Sequence, residues 1–233
     1  MAKSFQELDY QQTLLGELVL RKRNSASLDG RPVFEVKLNG EFLMSSVVTH
    51  SEEALASLSL QAWGDQACDV LIGGLGLGCT AAAALGSKSV RHLEVVEFLE
   101  PVIDWHRRGL VPMADILLDD PRCELIQGDF FKYVADPAGK PDRRYDLILV
   151  DIDHSPESWL HATHEAFYSS QGLKRLAEHL NPGGVFGLWS ADKPAREFIE
   201  QLGSQFTTVK QHTISYDHPM LHQVESDTIV IAQ

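Results

Sequence analysis

The stretch from Asp69 to Glu97 constrains the fold of this chain more than any other, because it joins two apolar runs through a glycine-rich loop. The first run, Val70 to Ile72, leads into Gly73-Gly74-Leu75-Gly76-Leu77-Gly78, and small helix-forming residues follow. The second run ends on Glu97, nineteen residues after Gly78. A strand, a glycine turn, a helix, a second strand and an acid in this order are typical of the first βαβ unit of a nucleotide-binding sheet.

Each part of this unit has a physical role in binding a nucleoside. Glycine accepts positive φ angles and lets a ligand approach the main chain closely. The helix after the loop directs its free N–H groups at that ligand. The carboxylate of Glu97, at the end of the second strand, can accept hydrogen bonds from both hydroxyls of a ribose. A plain tight turn would explain the glycines alone, but the acid in register favours a nucleoside site.

The order of the elements predicts an α/β fold with two parts. Residues 1–48 hold alternating apolar and polar runs around Asn39-Gly40, which predicts a small N-terminal β appendage with a hairpin. In residues 49–233 strands alternate with helices, which predicts one mostly parallel, doubly wound sheet. The last two strands have no helix between them and are expected to form an antiparallel edge pair. Ser51 is predicted to cap the first helix.

Composition narrows the class of partner. The net charge of −13 argues against nucleic acid, which needs a basic surface, and is compatible with a cationic small molecule. No apolar stretch approaches the ~18 residues of a membrane span, and the first residues are too polar for a secretory signal. We therefore expect no membrane partner and a cytoplasmic location. Cys68, Cys79 and Cys123 lack paired spacing and are expected to be reduced thiols.

Three acidic residues are predicted to end three strands of the sheet, namely Glu97, Asp129 and Asp151. Ligands of open α/β sheets bind beyond the carboxyl ends of the strands. An Asp in that position can also cap a helix or stabilise a turn. Three acids in register with a glycine loop favour a nucleoside, with the ribose on Glu97, the base near Asp129 and a reacting group near Asp151.

Motifs over most of the chain resemble those of the spermidine synthase family of polyamine aminopropyltransferases. The matching segments are Leu38-Asn39-Gly40, Gly73–Gly78 in place of GGGDGG, Val96-Glu97, Gly128-Asp129-Phe130, Asp151-Ile152-Asp153-His154 in place of DSSD, Glu165-Ala166-Phe167-Tyr168 and Asn181-Pro182-Gly183-Gly184. The resemblance implies a Rossmann-like sheet of the class I methyltransferase type. It also implies a homodimer.

The same resemblance implies a transferase that uses S-adenosylmethionine or its decarboxylated form as co-substrate and alkylates a small amine acceptor. Asp151 is implied as the general base that takes a proton from the attacking nitrogen. The residues implied to bind the donor are Gln6, Gly74, Leu75, Gly76, Gly78, Glu97, Phe98, Gly128, Asp129 and Phe130. Those implied to bind the acceptor are Asp153, His154 and Tyr216, although His218-Pro219 fits the spacing of this last position comparably.

The chain also departs from the family pattern. The Asp of GGGDGG, which grips the amino end of the donor, is replaced by Gly76 or Leu77. The second Asp of DSSD, which helps to hold the acceptor, is His154, and the tyrosine before the first helix is Ser51, beside Glu52. The nucleoside pocket is therefore expected to be intact and the amine-binding residues to be altered.

These departures leave two alternative functions open. A methyltransferase is the first, because the donor-gripping Asp is missing. A non-catalytic sensor of nucleosides or polyamines is the second, because the acceptor residues differ. An NAD-dependent oxidoreductase is disfavoured, since the loop GGLGLG lacks the full G-x-G-x-x-G spacing.

Three histidines follow Asp151, at positions 154, 161 and 164. Their spacing matches no common two-histidine ligand pattern, so no metal is expected. His154 is expected to line the acceptor pocket instead, or to act as an acid or base near neutral pH.

Overall fold

The computed structural model describes residues 5–25, 28–135, 143–220 and 222–233. Its strands are β1 (Phe5–Thr13), β2 (Gly16–Ser25), β3 (Arg31–Leu38), β4 (Glu41–Ser45), β5 (Cys68–Gly73), β6 (Val90–Glu97), β7 (Cys123–Gln127), β8 (Tyr145–Val150), β9 (Leu180–Ser190), β10 (Val209–His218) and β11 (Gln223–Ala232). Its α-helices are α1 (His50–Trp63), α2 (Cys79–Leu85), α3 (Glu100–Arg107), α4 (Ala114–Asp119), α5 (Phe130–Ala135), α6 (Ser170–Glu178) and α7 (Arg196–Gly203). A 3₁₀ helix spans Ala162–Ala166.

The N-terminal part is a four-stranded antiparallel sheet in the order β1-β2-β3-β4. The β3–β4 turn has positive φ at Asn39 (53°) and Gly40 (83°), the combination that two-residue hairpins of this composition adopt. The Asn39 side chain accepts a hydrogen bond from Glu17 N (3.0 Å) and donates one to Leu15 O (2.9 Å). The predicted hairpin is therefore confirmed, and its Asn also ties it to the β1–β2 turn.

The larger sheet has seven strands in the order β10-β11-β9-β8-β5-β6-β7. The pairs among β5, β6, β7, β8 and β9 are parallel, whereas β11 pairs antiparallel with both β9 and β10. The predicted doubly wound sheet with an antiparallel edge pair is confirmed. The chain runs from β5 outward to β7 and then crosses to β8, so the direction of winding reverses between β5 and β8. Ligands of such sheets bind at this reversal.

Helices cover both faces of the sheet, and each face has its own apolar core. Successive residues of β5 alternate between them, since Val70 and Ile72 belong to one core and Leu71 to the other. Every residue of β8 is buried, as expected of a central parallel strand. The N-terminal sheet joins the first core through Leu18 and Leu20.

The start of α1 differs from the prediction that Ser51 caps it. The helix begins at His50 with Thr49 as its N-cap residue, and no side chain caps it. Ser51 is 1% exposed, and its hydroxyl accepts a hydrogen bond from the indole of Trp189 on β9 (2.9 Å). Because α1 packs against β9, the hydroxyl of Ser51 bonds to Trp189 and does not cap the helix as predicted. Across the described ranges, no helix has the length and apolarity needed to cross a bilayer.

Candidate active site

A cavity of about 570 Å³ lies at the reversal point of the sheet. This volume falls within the usual range for small-molecule sites. The walls come from the carboxyl ends of β5, β6 and β8, from the starts of α1 and α2, and from the N-terminal sheet near Met44. The predicted site residues that line it are Gly74, Leu75, Gly76, Glu97, Phe98, Asp129, Phe130, Asp151, Asp153, His154 and Tyr216.

The glycine loop brings the main chain of β5 against that of β8. Asp151 N donates to Gly73 O (2.9 Å), and Gly74, at φ 94°, packs on the carbonyl of Asp151. A Cβ on Gly74 would clash with that carbonyl oxygen. Leu75 and Leu77 are 5% and 4% exposed and belong to the first core, so the loop's own side chains do not fill the cavity. The loop therefore presents backbone to the cavity, as a nucleoside site requires.

Gly74→Ala should destabilise the fold far more than Gly64→Ala. Both glycines have positive φ, 94° and 93°, but a Cβ on Gly64 would meet nothing within 4 Å. Both variants thus carry the strain of an unfavourable backbone conformation, on the order of 1–3 kcal/mol. The steric clash with Asp151 is added only at Gly74 and should bring its total above ~3 kcal/mol. Denaturant unfolding of the two variants measures the difference, and equal losses would show that the close approach to Asp151 is unimportant.

Glu97 holds the glycine loop in place. Its Oε2 accepts a hydrogen bond from Leu75 N (3.0 Å), and its Oε1 accepts one from Leu99 N (2.7 Å). Burial raises the pKa of Glu97, and the surrounding backbone N–H groups, which favour the charged form, oppose that rise. The carboxylate is 9% exposed and still lines the cavity, so it has acceptor capacity left for a ligand hydroxyl.

Asp129 lies next along the rim, after β7. Its Oδ1 accepts from Lys132 N (3.1 Å) and its Oδ2 pairs with Lys132 Nζ (3.2 Å), so it caps the start of α5. Phe130 is 2% exposed and packs against Gly73, while Phe131 stacks on His164 with ring centroids 4.1 Å apart. Asp129 therefore combines the helix-capping role with a place in the cavity wall. The flat groups around it form a wall suited to a planar ring.

Asp151 lines the cavity directly after the end of β8. Its Oδ2 accepts a hydrogen bond from the Thr80 hydroxyl (2.7 Å) at the start of α2. Burial raises the pKa of Asp151 to about 6; the Thr80 hydrogen bond opposes the rise and the Asp227 carboxylate adds to it. A carboxyl group with its pKa close to neutral is suited to take and release a proton.

Asp153 lines the cavity, but both of its carboxylate oxygens are bound by neighbouring residues. Its Oδ1 accepts from Leu160 N (2.7 Å) and contacts His164 Nδ1 (2.8 Å), and its Oδ2 accepts from the Tyr168 hydroxyl (2.9 Å). The residue is 2% exposed. Asp153 thus holds the loop after β8 in place and orients His164. It does not present a free carboxylate to an acceptor. The adjacent His154 is exposed and faces the same cavity.

Three carboxylates that the sequence interpretation left out of the site share the cavity with Asp151. Glu52 comes from the first turn of α1, and Glu225 and Asp227 come from β11. Ser51 Oγ donates to Glu52 Oε2 (3.0 Å), and the Tyr216 hydroxyl donates to Asp227 Oδ2 (3.0 Å). Burial and the Asp151 carboxylate raise the pKa of Glu52 to about 7, and burial raises that of Asp227.

Three predicted donor residues are not in the cavity wall. Gln6 is exposed on β1, the edge strand of the N-terminal sheet, where it pairs with Lys22; Leu14 and Leu15, from the turn after β1, line the cavity instead. Gly78 packs on α3 and α4 and supports the loop from behind, since a Cβ there would press on His106 and Met113. Gly128 lies against Val96, and neighbouring Asp129 and Phe130 supply the wall.

One group of described side chains has ligand atoms close enough together for a metal ion, namely His92, Glu94 and Glu124. It lies on β6 and β7, and none of the three lines the cavity. Glu94 is already engaged by Arg143 and by the Tyr145 hydroxyl. A metal ion bound to this group would therefore lie outside the cavity.

The comparison with protein families decides the relationship. The family model described as "Spermine/spermidine synthase domain" matches residues 45–222. The chain belongs to this family. The match covers the first helix, the glycine loop, all three strand-end acids and all of β10. The resemblance in the motifs is thereby confirmed.

Curated relatives and solved structures agree with this membership. Polyamine aminopropyltransferase 2 of Pseudomonas aeruginosa is 31% identical over 159 residues, which cover 64% of this chain and 42% of the relative. The polyamine aminopropyltransferase of Pyrobaculum islandicum is 27% identical over 165 residues, covering 71% and 50%. The matched part of the chain thus spans half or less of the length of these relatives.

Solved structures support the fold independently. A spermidine synthase in complex with the transition state analogue AdoDATO superposes with a TM-score of 0.75 and 18% identity, covering 97% of this chain and 73% of that one. Human methyltransferase-like protein 13 in complex with SAH superposes with a TM-score of 0.56 and 18% identity, covering 80% and 82%. The predicted methyltransferase-type fold with an N-terminal β-sheet is confirmed.

Proposed function

We propose that this chain transfers an aminopropyl group from decarboxylated S-adenosylmethionine to a small amine. The observation that carries the proposal is a single cavity that holds the glycine loop, Glu97, Asp129 and Asp151 side by side. In this assignment Glu97 binds the ribose, Asp129 and Phe130 border the adenine, and Asp151 is the base. The names of the curated relatives and the AdoDATO complex of the structural neighbour support the same reaction.

The chemistry requires a neutral nitrogen close to an activated carbon. A primary amine with a pKa near ~10 is mostly protonated at pH 7 and has no lone pair to attack with. Asp151 takes the proton as the nitrogen attacks the carbon beside the sulfonium. The N–C bond forms, the S–C bond breaks, and its electron pair goes to sulfur, which releases methylthioadenosine. Holding the amine and the carbon in line supplies much of the rate.

The charge of the cavity favours a cationic acceptor. Lys132 is the one Lys or Arg among the described lining residues, and it is paired with Asp129 at the adenine end. Around Asp151 the described charged groups are acids, with Glu52, Glu225 and Asp227 in the same wall. Opposite charges in a cleft attract and orient such a substrate.

Methyl transfer is the second candidate, favoured by one observation. Gly76 or Leu77, neither of which has a charge, stands where the family pattern carries an Asp for the amino end of the donor. A site without that Asp has less reason to reject the carboxylate of S-adenosylmethionine itself.

The products separate the two reactions. The protein should be incubated with putrescine or spermidine and either decarboxylated S-adenosylmethionine or S-adenosylmethionine, and the nucleoside product identified by mass. Aminopropyl transfer predicts methylthioadenosine from the decarboxylated donor and no turnover of the other. Adenosylhomocysteine from S-adenosylmethionine would replace the proposal with methyl transfer, and no product from either donor would favour the non-catalytic sensor.

Two further parts of the proposal concern the setting of the protein. We infer a homodimer from the family resemblance. We also infer a cytoplasmic location, since the three cysteines of the chain are free thiols and reduced thiols persist in that compartment.

A further inference from the structure

The cavity has a carboxylate where the family pattern does not lead one to expect it. The glycine loop offers no acid to the transferred chain of the donor, because Leu77 is apolar and 4% exposed. The first turn of helix α1 brings Glu52 to the same cavity. Helix α1 packs against α2, and Cys79, the first residue of α2, lines the cavity together with Glu52. Glu52 therefore lies close to the point where the loop enters α2.

The surroundings of Glu52 position its carboxylate and leave it without a cationic partner among the described residues. Ser51 Oγ donates to Oε2, and Ser51 is itself held by the Trp189 indole. No described salt bridge involves Glu52. The charges that act on Glu52 are those of Asp151, which follows β8, and Asp227 of β11; Glu52 in turn raises the pKa of Cys79 on α2 and of Tyr216 on β10. Glu52 is partly buried, and removing a carboxylate from water without a cationic partner costs free energy, which a ligand ammonium would offset.

We propose that Glu52 binds the ammonium end of the donor's transferred chain and so takes the place of the missing loop carboxylate. This inference rests on the proposed function and deepens it. The decarboxylated donor ends in an ammonium, which Glu52 would pair with. S-adenosylmethionine carries a carboxylate beside that ammonium, and Glu52 and Asp151 would repel it. Glu52 is thus the residue that selects the decarboxylated donor.

The pairing of Glu52 with the ammonium makes the affinity for the ligand increase with pH. Glu52 must be ionised to bind an ammonium, and its pKa of about 7 means that it gains charge as pH rises from 6 to 8. Affinity for an amine-bearing ligand should therefore rise through this range. Ionisation of Asp151 should also raise the affinity for this ligand, but around pH 6, below most of this range. Affinity for an uncharged analogue should stay flat.

The contribution of the ammonium to binding can be measured with two ligands that differ only in that group. The two are 5′-(3-aminopropylthio)adenosine and 5′-(propylthio)adenosine, which share a neutral sulfur and differ only in the terminal amine. Calorimetry should compare wild type, Glu52→Gln and Glu53→Gln. Glu53 is the exposed neighbour on the same helix, and it does not line this cavity. Gln at position 52 keeps an oxygen to accept from Ser51, so the helix start should stay intact.

We expect Glu52→Gln to weaken binding of the aminopropyl ligand about 10-fold or more, the range for a charge-assisted hydrogen bond, and to leave the propyl ligand unchanged. The rise with pH should be lost in this variant and kept in Glu53→Gln. Unchanged affinity for the amine in Glu52→Gln, with only the KM of the acceptor raised, would move Glu52 to the acceptor side and overturn the inference alone. Failure of wild type to bind either nucleoside would overturn the proposed function as well.

Discussion

Asp151→Asn should lower kcat by at least about 100-fold while methylthioadenosine binds as in wild type. The asparagine keeps an oxygen for the Thr80 hydroxyl, so the fold around the end of β8 should survive. The asparagine amide cannot take the proton that the acceptor ammonium must lose for its nitrogen to attack. Steady-state rates with the decarboxylated donor and a diamine, together with calorimetric binding of methylthioadenosine, measure the two effects separately.

The pH profile of wild type provides the control for this assignment. Asp151 acts as a base only when ionised, so kcat/KM should fall as pH drops through about 6, the pKa to which burial raises this group. The acceptor amine favours activity at still higher pH, because more of it is neutral there. Activity within 3-fold of wild type in Asp151→Asn would remove Asp151 from the chemistry, and an equal loss of methylthioadenosine affinity would mean that the variant had damaged the cavity.

Glu97→Gln should abolish most nucleoside binding and also destabilise the fold. Both carboxylate oxygens accept backbone N–H groups, from Leu75 and Leu99, so an amide NH₂ must face one of these donors. The unsatisfied donors cost about 1–3 kcal/mol of unfolding free energy. The ribose loses a charged acceptor at the same time, which should raise the Kd for methylthioadenosine by about 100-fold.

Glu94→Gln is the matched control for this variant. Glu94 is on the same strand and is engaged by Arg143 and Tyr145, but it does not line the cavity. Its amide variant should lose stability and keep nucleoside affinity. If the two variants lost affinity to the same extent, the effect of Glu97→Gln would come from general loosening of β6, and the ribose assignment would fail.

The fold could be predicted from the sequence wherever a local pattern of residues determines the secondary structure and its burial. The run Tyr145–Val150 is apolar throughout because β8 is buried on both faces, and Asn39-Gly40 takes the positive φ angles that its residue types favour. The start of α1 was not readable, because the hydroxyl of Ser51 bonds to Trp189, 138 positions away in the chain. A cap is a local inference, and a tertiary contact overrode it.

The same distinction separates the site residues that were foreseen from those that were missed. Glu97 and Asp151 end parallel strands, so the strand pattern places them at the ligand edge. Asp227 lies midway along β11, beside Thr228, which pairs with Ser190 at the end of β9; because β11 runs antiparallel to β9, this pairing brings Asp227 to that same edge. The predicted antiparallel pair contained this information. Asp153 was expected to face the acceptor, and only the packing of His164 and Tyr168 shows that its oxygens are taken.

The central claim is that the cavity between β5 and β8 binds the nucleoside of a decarboxylated donor. Thermal unfolding of the protein with methylthioadenosine, S-adenosylmethionine and decarboxylated S-adenosylmethionine, each at the same concentration, tests it most directly. A ligand at 100 times its Kd adds about 2.7 kcal/mol of apparent stability. We expect clear stabilisation by methylthioadenosine and the decarboxylated donor, and less by S-adenosylmethionine. No shift with any of the three, or the largest shift with S-adenosylmethionine, would contradict the account.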